Sequence, residues 1–100
     1  MPRLREVLRT PKAFDLSYAL FADKSTLGLD SGCLILDLDD VEDADDVPEE
    51  AREAGYDHVL MMDDVDSIIS NLRAQTEAPS DELRFEAFRF YLARDAFIIV

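Results

Sequence analysis

Nine of the fourteen residues from Asp37 to Glu50 are acidic: Asp37, Asp39, Asp40, Glu42, Asp43, Asp45, Asp46, Glu49 and Glu50. It is the only segment that reads as selected for chemistry rather than for folding. Like charges at this density repel one another and cost stability at low salt, so they are kept where something cationic binds them or where solubility is at stake. The segment is therefore expected as an acidic surface loop, and the natural partner of such a loop is a basic protein. The alternative is a solvated loop that binds nothing.

Around this segment the chain has room for one domain. One hundred residues, 48% of them apolar, suffice for a single core, and a chain of this size hides roughly two-thirds of its unfolded surface. Residues 1–100 are read as a single domain with the segment 37–50 as its acidic loop. The net charge of -13 is unevenly spread. Residues 1–12 hold Arg3, Arg5, Arg9 and Lys12 against Glu6, or +3, whereas residues 13–72 hold seventeen acids against Lys24 and Arg52, or -15. The remainder, 73–100, comes to -1. A body this acidic is repelled by phosphate, which argues against nucleic acid and against anionic membrane surfaces.

Arg3, Arg5 and Arg9 near the start have no apolar stretch behind them, so no secretory signal is read there, and no apolar run is long enough to span a bilayer. The single cysteine, Cys33, excludes an intramolecular disulfide and fits a reducing, cytoplasmic compartment. Two lysines against eight arginines suit a prokaryote with an arginine-favouring genome.

The order of elements predicts an α+β fold, a small mostly antiparallel sheet of three to four strands with helices packed on it. Leu4, Val7 and Leu8 share one stripe of a short leading helix that Pro11 ends. Ser17–Ala22 and Gly32–Leu38 read as neighbouring strands, and the loop between them allows an antiparallel pairing. Pro48 at a first helical position, acids in the first turn and Gly55 at the end frame a second short helix. Tyr56–Met62 reads as a third strand, with Asp63 or Asp64 placed to cap the helix that carries Val65, Ile68, Ile69 and Leu72. Pro79 and Ser80 open the last helix, and Ala96–Val100 is a candidate fourth strand.

That last helix is apolar over more than half its circumference, which suits a helix central to the fold or shared with another subunit. Phe85, Phe88 and Tyr91 are its candidate partner or homodimer face, the competing reading being plain core. Arg84 falls inside the apolar arc, so its guanidinium needs a route to water or a carboxylate, for which the acidic segment is one source.

Enzymatic chemistry finds little support. Val41, Ala44 and Val47 interrupt the register of an EF-hand calcium loop, and no glycine lies between Gly32 and Gly55. Cys33 sits in an apolar run beside the most acidic part of the chain, a field that raises a thiol pKa, so it is a poor nucleophile even with His58 as a partner. One cysteine and one histidine do not make a zinc site. No glycine-rich phosphate loop occurs, and no metal, cofactor or catalytic residue is expected.

The order of motifs resembles a group of small acidic bacterial proteins that form an uncharacterised domain family, some of which look like immunity proteins of toxin systems. The matching pattern runs from Tyr18-Ala19-Leu20-Phe21 through Cys33-Leu34-Ile35-Leu36-Asp37 into the acidic segment with Pro48. It continues with Asp64 to Gln75 and closes on Phe85 to Tyr91 followed by Asp95-Ala96-Phe97-Ile98. The resemblance brings no catalytic residues. For an immunity-type protein it implies an acidic face that occludes a toxin's active site or basic substrate groove.

The sequence thus reads as a non-enzymatic acidic binding module for a basic protein or toxin. Its rival is a small self-associating structural or regulatory domain whose acidic loop merely solvates.

Overall fold

Leu4, Val7 and Leu8 are all buried in α1 (Leu4–Arg9) of the computed structural model, which describes residues 1–37 and 48–100. The first amides of a helix have no carbonyl of their own to bond. Here a neighbouring loop supplies them, Leu4 N donating to Ser31 O at 2.9 Å and Arg5 N to Leu29 O at 3.0 Å. Pro11 then closes the helix and begins one 3-10 turn, Pro11–Ala13.

The sheet contains β1 (Ala19–Ala22), β2 (Leu34–Leu36) and β3 (Asp57–Met61), all antiparallel in the order β2-β1-β3. Every residue of β1 is buried, which is why the central strand reads as an unbroken apolar run. Ala19 pairs with Leu36 and Met61, and Leu20 with Ile35 and Leu60. The register against β3 then slips, Phe21 facing His58, and Val59 is left as the extra residue of a β-bulge. Both Val59 and its neighbour Leu60 thereby join the main core.

Each face of the sheet has its own cover. Leu20, Ala22 and Ile35 lie in the main cluster with α1 and the two long helices, while Ala19, Phe21, Leu34, Leu36 and Met61 form a smaller cluster closed by Ala51 of α2 (Glu49–Ala54). Pro48 stands at the N-cap of α2, one residue outside the helical position expected for it, and Gly55 ends the helix at φ 76° with its amide turned back to the carbonyls of Ala51 and Arg52.

α3 (Met62–Gln75) buries Val65, Ile68, Ile69 and Leu72 as their spacing predicts. The expected caps are corrected: Met61 is the N-cap and Asp63 and Asp64 lie inside the first turn, where the helix dipole still favours them. No side-chain cap is needed because β3 runs straight into the helix and backbone carbonyls meet its amides, Met62 N donating to Tyr18 O at 2.9 Å and Asp63 N to Leu16 O at 3.1 Å.

α4 (Asp81–Arg94) starts as expected, Ser80 Oγ accepting from Leu83 N at 3.1 Å. It packs on α1 and α3 and buries only Ala87 and Phe88 fully, so it is a peripheral helix despite its wide apolar arc. The candidate fourth strand does not form, and the sheet has three strands among the described residues. Residues 96–100 dock instead on α3, where Gln75 Nε2 donates to Ile98 O at 2.8 Å and Val100 N donates to Gln75 Oε1 at 2.9 Å. One side-chain amide thus takes the donor and acceptor that a strand would give to a sheet edge. Among the described residues no helix is long and apolar enough to cross a membrane.

Candidate functional site

Of the nine acids expected to meet a partner, Asp37, Glu49 and Glu50 are described; Asp39, Asp40, Glu42, Asp43, Asp45 and Asp46 lie outside the described residues. The two ends of the segment are held firmly. Asp37 directly follows β2, whose Leu36 pairs with Ala19, and on the other side Pro48 is buried and its carbonyl accepts from Arg52 N at 3.0 Å. Ala51, three residues on, lies in the same apolar cluster as Ala19 and Leu36. Glu49 and Glu50 are exposed in the first turn of α2, where the helix dipole stabilises their charge.

β2 is an edge strand, and among the described residues no strand pairs with its outer side. A cleft of about 380 Å³ opens beside it. Phe14, Tyr18, Leu34 and Leu36 give it an apolar lining, and Asp15 and Glu50 place carboxylates at it. Asp15 is fixed rather than free to swing, since its Oδ1 accepts from Ser17 N at 2.9 Å and from Ser17 Oγ at 2.7 Å. Those hydrogen bonds, the backbone one first, hold its carboxyl below the usual carboxylate range, so it is anionic at neutral pH. Phe14, Asp15 and Tyr18 were absent from the residues expected to bind. The Asp15-x-Ser17 pattern before a strand is a readable turn signal, but nothing local in the sequence says that the turn borders a cleft.

The remaining candidates for chemistry are separated by the sheet. Cys33 belongs to the main cluster, and burial pushes its thiol up to about 12. His58 lies on the other side, its ring edge-on to Phe21 at 5.6 Å, and its pKa is lowered by partial burial and by Lys24. A thiol and an imidazole on opposite sides of a sheet cannot act on one atom. Among the described residues no group of three or more His, Cys, Asp or Glu side chains is arranged to hold a metal ion.

The aromatic face of α4 is redrawn. Phe88 is fully enclosed by the chain's own core, so it has no surface to offer a partner, while Phe85 and Tyr91 are half-buried against that core. Tyr91 also meets the Phe97 ring at 5.7 Å between centroids, and its phenol is pushed up chiefly by the charge of Asp64. Among the described residues Arg84 finds its carboxylate in Asp81 on its own helix, at 2.9 Å. Asp81 is shared, because Arg9 Nε donates to its Oδ1 at 2.9 Å and Arg9 Nη2 to its Oδ2. The hydrogen bonds from Arg9, then the charges of Arg9, Arg84 and Arg5, hold the Asp81 carboxyl below its usual range.

With this geometry in hand, the chain can be placed: it belongs to a family described as a domain of unknown function (DUF7716), whose model matches residues 1–100. No curated protein and no solved structure matches it.

Proposed function

We propose that this domain is a non-enzymatic binding module that engages a basic protein through the edge of β2 and the acidic residues beside it, as an immunity-type inhibitor does in bacterial cytoplasm. The observation that carries this reading is the apolar cleft along the edge of β2, which among the described residues pairs with no strand on that side, bordered by Asp15 and Glu50 next to the point where the acidic segment joins the fold. An apolar lining with anionic borders suits a cationic segment that also presents hydrophobic side chains: the lining supplies burial, and the carboxylates supply attraction and discrimination between partners. The -15 balance of residues 13–72 adds long-range steering toward a positive surface.

The test is an affinity pull-down from native lysate at low and high salt, followed by titration calorimetry with the purified captured protein. A cationic protein that is retained at low salt supports the module if two variants release it. One variant changes Asp39, Asp40, Asp43 and Asp46 to Asn, and the other is Asp15→Asn with Glu50→Gln. Retention that neither variant changes would overturn it.

A further inference from the structure

We propose that the outward face of α4 is a two-fold interface at which two copies of this chain pair antiparallel. The helix turns Ala87 and Phe88 into the core and packs on α1 and α3, which leaves Glu82, Phe85, Glu86, Arg89, Phe90 and Arg94 lining one shallow groove on its other side. Laid out at 100° per residue, Phe85 and Phe90 fall about 140° apart, flanking a line that contains Glu82, Glu86 and Arg89. Among the described residues, Phe90 packs against neither apolar cluster.

The charges on this face are unspent. Within the described residues no ion pair involves Glu82, Glu86, Arg89 or Arg94. The two arginines instead lie over the flanking rings, Arg89 at 5.7 Å from the centre of Phe85 and Arg94 at 5.5 Å from that of Phe90. Guanidinium groups resting on aromatic rings leave their edges open to a carboxylate from outside.

Their order along the helix decides the occupant. Both glutamates stand in the N-terminal half of α4 and both arginines in the C-terminal half. A two-fold axis passing between Ala87 and Phe88 sets Glu86 opposite Arg89 of the second copy, twice, and brings Glu82 within one residue of Arg94. A parallel pairing would put like charge on like. The surroundings agree, because residues 73–100 carry Arg73, Arg84, Arg89 and Arg94 against Glu77, Asp81, Glu82, Glu86 and Asp95, or -1, whereas residues 13–72 carry -15. Two chains of net charge -13 can approach closely only where each is nearly neutral. One helix pair is a small interface, so the dimer is expected to dissociate in the micromolar range.

Sedimentation equilibrium on the full chain tests this with charge swaps. Wild type should dimerise with concentration. Glu86→Arg alone and Arg89→Glu alone should each weaken the dimer about tenfold or more, since every reversal turns two attractive pairs repulsive. The double variant should recover it. An equimolar mixture of the two single variants should form heterodimers, because their faces are then opposite in sign. That recovery excludes misfolding as the cause of either loss. A wild type that stays monomeric at millimolar concentration, a dimer indifferent to both reversals, or a mixture without heterodimers would each overturn the proposal.

Discussion

Arg9 and Asp81 lie 72 positions apart in sequence and close into a forked ion pair that ties α1 to the first turn of α4. Arg84 joins from the same turn of α4 with its side chain only 16% exposed, and its Nε is buried without a hydrogen-bond partner. Removing the shared carboxylate would strand a partly desolvated guanidinium, which costs more than the pair itself contributes. Asp81→Asn is therefore expected to lower the melting temperature more than Arg9→Ala does, and Asp81→Asn with Arg84→Met should regain part of the loss. Thermal melts followed by circular dichroism check the order.

The same carboxylate sets part of the acid response. Its folded pKa is lowered, chiefly by the hydrogen bonds from Arg9, so its contribution is complete above the unfolded carboxylate pKa of about 4 and is lost as pH falls through the lowered folded value. Asp15 and Asp23 are lowered too and act with the same sign. In melts between about pH 2 and 6, wild type should lose stability on acidification more steeply than Asp81→Asn. Parallel curves would assign the acid limb to the other carboxylates.

Phe88 and Phe90 should behave oppositely on truncation. Phe88 is fully buried, so Phe88→Ala removes a core ring and should cost about 3–5 kcal/mol in urea unfolding. Phe90 packs against neither cluster, and Phe90→Ala should cost under about 1 kcal/mol. Equal costs would refute the placement of the two rings.

Gly55 holds φ +76° with nothing within 4 Å of where a Cβ would stand. Gly55→Ala should thus destabilise by about 1 kcal/mol through backbone strain alone. A cost several times larger would point to a contact that the geometry does not show.

The Cys33 thiol, fully buried and pushed up to about 12, should react with a disulfide reagent at pH 8 only as fast as the fold opens. The rate should climb steeply with urea. Prompt reaction in native buffer would contradict the burial.

What could be read from the chain was local. The Leu4, Val7, Leu8 stripe, the Val65 to Leu72 periodicity and the Pro48 to Gly55 frame each carry their signal within a few residues, and all three helices are where that signal puts them. The misreadings depend on distant partners. Asp63 and Asp64 look like caps until the carbonyls of Leu16 and Tyr18 are seen to meet the amides of α3. Ala96–Val100 has strand-like composition, yet Gln75 takes its backbone groups. The cleft beside β2 joins Phe14, Tyr18, Leu34 and Glu50 from separate elements, so no window of sequence contains it.

The anchoring of residues 37 and 48 has an engineering consequence. With β2 ending at Leu36 and Pro48 buried, the sheet and α2 fix where the chain leaves the described fold and where it returns. Closing such a connection depends on length only logarithmically, a doubling costing about 0.6 kcal/mol. Exchanging residues 38–47 for a segment of another length or charge should therefore leave the scaffold in place and its unfolding midpoint nearly unmoved, and under the proposed function it should alter which basic protein is retained.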